Sequence, residues 1–310
     1  MSSVLGVTHT KPDSVLPAGA CDCHVHVFGR PDEYGFAEDR LFMPSEARVQ
    51  DVIAMHDAIG ISRVVVVQAS PQGHDNRCLV KALQDFESRG RQARGVAVVQ
   101  AAAPADELAF LHHAGVRGLR VNLQSYGHTD PSFAKDSFIR TAEQAARMGW
   151  HIQTYAGLPL IAATHETIRT LPVPLVVDHY ALAHASAGPE QSGFDVLLDL
   201  IRVGAIYVKL SAPYRIVHPG AESAGERIAR PLIEANLSRM LWGTDWPHTG
   251  PWPGKARMRD RPEPFHPIDD GRQLKLFMSW VTPSEAQQIL VGNPQDLYGF
   301  DDTKKKNRQE

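Results

Sequence analysis

Apolar and polar positions along this chain follow two rhythms, one with the period of a strand and one with that of a helix. Eight short apolar runs, each ending on polar residues, cover 20–28, 63–70, 95–100, 118–122, 151–155, 174–179, 205–211 and 240–246. The run around Val64-Val65-Val66-Val67 is continuous and β-branched, as a strand covered on both faces requires. Between the runs the spacing predicts helices near 47–59, 76–88, 105–114, 137–148, 160–170, 194–203 and 224–236, with two more near 272–280 and 284–289. Gly60 supplies the C-terminal stop of the first. Such alternation is the signature of parallel βα units. Eight of them close into a (β/α)₈ TIM barrel, which typically takes about 250 residues.

The 310 residues therefore suit one barrel domain over 20–300, with an N-terminal arm (1–19) and a solvated, disordered tail (301–310) carrying Lys304-Lys305-Lys306. The Pro- and charge-rich loop 249–269 follows the eighth run and is expected over the barrel mouth. Lys+Arg number 32 against 35 Asp+Glu, with no basic stripe, which argues against nucleic acid or an anionic membrane as partner. No apolar stretch nears the roughly 20 residues of a bilayer span. The first nineteen residues lack the apolar core of a secretory signal. Cys21, Cys23 and Cys78 make no even framework and read as small buried thiols of a reducing cytoplasm, where the chain is expected. Cys21 and Cys23 are expected on one strand face, opposite Asp22 and His24, too close for an ordinary disulfide.

The ends of the runs carry the chemistry. His24 and His26 stand two apart, so both imidazoles aim at the barrel centre, where burial costs free energy unless a metal, a substrate or hydrogen bonds satisfy them. Val176-Val177-Asp178-His179 adds a third imidazole, with Asp178 expected to point the other way and cap the next helix. Gly243-Thr244-Asp245 ends the eighth run on a carboxylate suited to be a general base toward water, and His248 follows within a turn. Three imidazoles and one carboxylate suit a single zinc with an open position, or a metal-free site polarising a carbonyl. Arg120 and Arg215 could hold a substrate carboxylate through bidentate guanidinium bonds, or form structural ion pairs. Ser70 and Tyr155, both at strand ends, offer hydrogen bonds to a carboxylate or a lactone oxygen. Lys209 is either a buried ion-pair partner or a Schiff-base lysine. No Gly-rich phosphate loop follows the first strand, so dinucleotide binding is unsupported.

With these blocks together, the chain resembles the amidohydrolase superfamily and, more narrowly, the 2-pyrone-4,6-dicarboxylate lactonases. The resemblance runs from about Pro17 to Tyr298 and includes Val67-Gln68-Ala69-Ser70, Asp75-Asn76, Gly118-Leu119-Arg120-Val121-Asn122, Val177-Asp178-His179, Gly243-Thr244-Asp245-Trp246-Pro247-His248 and Asn293-Pro294. It implies a barrel of the metal-dependent-hydrolase type that opens a lactone in aromatic or sugar-acid catabolism. Asp245 would act on water, and His24, His26 and His179 would bind or polarise the carbonyl. Arg120, Arg215, Ser70, Tyr155 and His248 would hold substrate carboxylates. The implied cofactor is one divalent metal, Zn²⁺ foremost, on His24, His26, His179 and Asp245, or none; the implied partner is a small anionic lactone, and a homo-oligomer is compatible.

Several positions depart from the pattern: the superfamily's bridging lysine on the fourth strand is absent, with Arg120 in that run, and the fifth strand offers Tyr155 rather than histidine, so a two-metal centre is not expected. Relatives carry an arginine shortly after the fourth strand, where this chain has Gln124-Ser125-Tyr126-Gly127-His128, and a tyrosine in the first loop, where Phe42 stands. A lactone with a different second anion, such as a sulfonated muconolactone, or an aldonolactone to be hydrolysed or isomerised, therefore stands beside the dicarboxylate. So do a zinc-dependent non-oxidative decarboxylase and a catalytically silent barrel that senses a small acid.

Overall fold

Each predicted run becomes a strand because its apolar side chains can be covered on both faces at once. The computed structural model describes residues 3–251 and 256–300. Its eight barrel strands are β1 (Cys21–Val25), β2 (Arg63–Val67), β3 (Gln92–Ala97), β4 (Val116–Asn122), β5 (His151–Tyr155), β6 (Leu175–Val177), β7 (Ile206–Ser211) and β8 (Met240–Gly243). They pair in sequence order, all parallel. The ring closes just beyond β1 and β8, where Val25 bridges Trp246 and the Asp245 N–H donates to the His24 carbonyl at 2.9 Å. Gly243 makes that closure possible, since a Cβ there would lie 2.8 Å from the His24 backbone nitrogen.

Alternate residues of each strand enter different cores. Val64 and Val66 join the large cluster beneath the helices, whereas Val65 and Val67 join Cys21, Cys23, Val96, Val176, Tyr207 and Leu241 inside the barrel. The same inner cluster includes Tyr298 and Phe300. One expectation needs correction here. Cys23 and His24 do not take opposite faces: the β1–β2 register shifts between Asp22 and Val25, and His24 turns inward to Lys209 and Asp178. Asp22 takes the outer side, accepting from the Thr244 N–H at 3.0 Å and lying 3.1 Å from the His56 ring. All three cysteines are free and buried.

The helices that cover the strands are α1 (Val49–Ile59), α2 (Arg77–Ser88), α3 (Ala105–His113), α4 (Pro131–Ala146), α5 (Leu158–Ala163), α6 (His165–Arg169), α7 (Phe194–Arg202), α8 (Glu226–Ala235), α9 (Asp270–Trp280) and α10 (Pro283–Gln287). Two differ from expectation. α4 starts six residues early because Asp130 caps the Ser132 N–H and Pro131 occupies the first turn. The segment 160–170 divides at Thr164, whose hydroxyl bonds back to the Leu160 carbonyl at 2.8 Å.

Two additions position the mouth. Met43–Pro44, in the loop after β1, pairs with Pro262–Glu263, in the loop after β8. The N-terminal stretch forms a ribbon, Ser3–Val4 against Val7–Thr8, and then runs so close to α9 that a Cβ on Gly271 would meet the Thr10 carbonyl oxygen at 1.7 Å. Among the described residues no helix is long and apolar enough to cross a membrane. The tail 301–310 and part of the mouth loop, 252–255, lie outside the described residues.

Candidate active site

The three imidazoles from β1 and β6 converge on one carboxylate oxygen. Asp245 Oδ1 lies 3.6 Å from His24 Nε2, 3.8 Å from His26 Nε2 and 3.5 Å from His179 Nε2. The other ring nitrogens are engaged elsewhere. His26 Nδ1 donates to the Val67 carbonyl at 2.8 Å, His179 Nδ1 lies 2.8 Å from Ser211 Oγ, and His24 Nδ1 lies 3.3 Å from Asp178 Oδ1. For His26, whose Nδ1 faces a carbonyl, the nitrogen aimed at Asp245 is thereby left with its lone pair; His24 Nδ1 also lies 3.3 Å from Lys209 Nζ. Burial lowers all three imidazoles, His26 and His179 to about 4 and His24 well below the ordinary value, so each is neutral at physiological pH.

The turn that ends β6 supplies two groups rather than one. Asp178 points inward, not toward a helix: its Oδ1 also lies 3.6 Å from Lys209 Nζ, and its Oδ2 3.6 Å from Arg120 Nη2. Its side chain caps nothing. The strand stops at Val177 and His179 takes a left-handed φ of 52°, which breaks the alternation and lets neighbouring residues reach the same centre. Lys209 donates to Gln153 Oε1 at 2.7 Å and is the buried ion-pair partner of Asp178.

Asp245 itself adopts φ 70° after Gly243-Thr244. Its Oδ2 is saturated, accepting from Tyr214 Oη at 2.6 Å and from Arg215 Nε and Nη2 at 2.9 and 2.6 Å. Burial alone would raise this carboxyl, but Arg215 foremost outweighs it and holds it well below the usual carboxylate range. Oδ1 is left as the oxygen facing the imidazoles.

Above this centre opens a cavity of about 270 Å³ whose wall includes His26, Ser70, Arg120, Tyr155, His179, Arg215 and Asp245. His24 lies beneath the wall. His248 sits behind it, with Nδ1 3.3 Å from Tyr214 Oη and Nε2 3.0 Å from Asp270. Arg120 donates to the Gln68 carbonyl at 2.8 Å and Arg215 to the Thr249 carbonyl at 2.6 Å, so both guanidiniums are held by the protein as well as facing the cavity. Sequence reasoning missed Tyr214, Ser211, Gln153 and Arg257. Tyr214 was within reach, standing beside Arg215 just past β7; the others gave no local signal.

Among the described residues, two groups of side chains suit a divalent cation: His24, His26 and Asp245, and His24, Asp178 and His179, each offering ligand atoms within 4.8 Å of one another. The buried His24 Nε2 has no hydrogen-bond partner, and its opposite nitrogen rests on a carboxylate, the arrangement that orients metal-ligating histidines. The donor set fits a metal.

A model of the amidohydrolase family matches residues 21–300. The chain belongs to that family. It is a hydrolase of the amidohydrolase superfamily, built on an eight-stranded parallel barrel with His/Asp clusters at its mouth. It is 35% identical over 300 residues to the 2-pyrone-4,6-dicarboxylate hydrolase of Comamonas testosteroni, covering 93% of each chain. It is 29% identical to the 4-sulfomuconolactone hydrolase of Rhizobium radiobacter, covering 92% of this chain and 91% of that one. The crystal structure of a probable 2-pyrone-4,6-dicarboxylic acid hydrolase from Acinetobacter baumannii, with citric acid bound, superposes with a TM-score of 0.76 at 25% identity, covering 91% of this chain and all 100% of that chain. This amidohydrolase is thus a lactone- and ester-hydrolysing enzyme related to the 2-pyrone-4,6-dicarboxylate lactonases.

Proposed function

We propose that the enzyme opens an anionic lactone of the 2-pyrone-4,6-dicarboxylate or 4-sulfomuconolactone kind, in the catabolism of aromatic acids. The observation that carries this reading is the pairing of one free carboxylate oxygen, Asp245 Oδ1, with a cavity whose wall carries guanidiniums. Water beside Oδ1 gives its proton to the carboxylate while its oxygen attacks the ring carbonyl carbon. The C=O pair moves onto oxygen, then returns and expels the ring oxygen, which takes the proton back. Neutral His26 and His179 line the same wall and can steer the carbonyl.

Arg215 does two things. It holds Asp245 ionised, and it faces the cavity where a substrate anion would sit. An anion that draws the guanidinium toward itself relieves the hold on Asp245 and makes that carboxylate more basic when water must lose its proton. A divalent metal, Zn²⁺ by the preference of a His₃-carboxylate set, would be held by His24, His26, His179 and Asp245. When bound it would polarise the carbonyl and lower the pKa of a coordinated water.

The test is a panel of carboxylated and sulfonated lactones, read by proton release with and without a chelator. Turnover of doubly anionic lactones is expected. Loss of that turnover on chelation, restored by Zn²⁺, is the outcome expected of the His₃-carboxylate set, whereas silence toward every lactone overturns the reading.

A further inference from the structure

The cavity wall carries a third guanidinium. Arg257 comes from the loop after β8 and lines the same space as Arg120 and Arg215. Its position is built rather than incidental. The pairing of Met43–Pro44 with Pro262–Glu263 ties the two mouth loops together, and Met43 N–H donates to the Met258 carbonyl at 2.6 Å. Phe42 from one loop thus comes to lie under Arg257 from the other, with the guanidinium carbon 3.8 Å from the ring centroid. Glu263, 4% exposed, fixes the edge of the fork, accepting from Nε at 3.0 Å and standing 2.8 Å from Nη2. Nη1 makes no hydrogen bond among the described residues.

The charge around the cavity has a direction. Asp245 is the one acid among the lining residues, against Arg120, Arg215 and Arg257. The carboxylates that balance Arg120 and Arg257, Asp178 and Glu263, are not among those lining residues. Arg215 sits over the reacting end, bonded to Asp245, whereas Arg257 belongs to the loops that roof the mouth.

We propose that Arg257, stacked on Phe42 and braced by Glu263, is a specificity-determining residue that receives a second anionic group on the substrate, remote from the ring carbonyl. The inference rests on the lactonase reading and adds to it the residue that meets the distal anion, a carboxylate or a sulfonate. A planar fork held flat on an aromatic face presents its outer N–H groups in one plane, which suits either oxyanion. A phenylalanine serves this role fully, because the guanidinium needs the ring face and not a hydroxyl.

The experiment compares lactones with one and two anionic groups, the second being carboxylate in one arm and sulfonate in the other. Arg257→Gln would leave Glu263 buried and unpaired, so R257Q/E263Q is measured beside it, with melting temperature as the check on folding. Both variants are expected to raise KM for doubly anionic lactones about tenfold or more, with kcat nearly unchanged and singly anionic lactones unaffected. Preference for carboxylate or sulfonate in the wild type identifies the distal group. Equal effects on both lactone classes, or none, overturn the role of Arg257. Direct binding of benzene-1,3-dicarboxylate, 3-sulfobenzoate and benzoate separates the two failures. If no lactone turns over but the variants still lose the doubly charged ligands selectively, the hydrolase reading falls and the Arg257 site stands.

Discussion

The two oxygens of Asp245 are treated unequally, and the proposed role as general base rests on that difference. Oδ2 takes three donors from Tyr214 and Arg215, while Oδ1 faces three imidazole nitrogens at 3.5–3.8 Å, beyond hydrogen-bond distance. That geometry fixes the carboxylate plane and leaves one oxygen open, the one the proposed mechanism gives to a water. Asp245→Asn keeps the shape and an acceptor for Arg215 but removes the proton acceptor. Turnover is expected to fall by about 10² to 10⁴, the range for losing a general base, with the far-ultraviolet circular dichroism spectrum unchanged. Hydrolysis within a few-fold of wild type would move the base elsewhere. The histidines and Asp245 were legible as residues because each ends an apolar run. Asp178 was not, because alternation from the inward-facing Val176 sends Asp178 inward, and only the left-handed turn at His179 lets that imidazole reach the same centre beside it.

The strands were legible because burial on both faces demands unbroken apolar runs, and parallel order then leaves little freedom in how eight of them close. What failed at this scale were features set by single side-chain bonds. The start of α4 depends on Asp130 accepting the Ser132 N–H, which an apolar periodicity does not register. Asp130→Ala is expected to cost about 1 kcal/mol, seen as a melting temperature lower by roughly 2–4 °C, with kcat and KM for the lactone unmoved. No change in melting would mean that Pro131 alone starts the helix. The pairing of the two mouth loops was equally hidden. Met43–Pro44 and Pro262–Glu263 lie more than two hundred residues apart and carry no strand pattern, yet they bring Phe42 under Arg257.

At the scale of the whole molecule, the barrel holds several imidazoles that stay neutral because they are buried, and this ties global stability to pH. His151 is the clearest, since it lies away from the reacting centre, edge-on to Tyr298 at 5.2 Å between ring centroids, and close enough to Gly118 that a Cβ there would come within 2.4 Å of its ring. Burial lowers it from 6.5 to about 3, and His26 and His179 go to about 4. Below pH 6.5 the unfolded chain takes up protons at these sites while the folded chain does not. Stability present above pH 6.5 is therefore lost as pH falls toward 4, by about 1.4 kcal/mol per pH unit for each such histidine. Asp178 and Asp245, both held well below the carboxylate range, add in the same direction at lower pH. Urea unfolding between pH 7 and 5, in the presence of a chelator so that metal affinity does not contribute, should show a falling midpoint. His151→Leu should flatten that fall by close to one proton's worth, although it also changes the packing against Tyr298 and so shifts the whole curve. The diagnostic quantity is thus the slope and not the midpoint at any one pH. A slope identical in the variant and the wild type would mean that His151 accepts a proton in the folded state, and that the barrel floor is wetter than its packing implies.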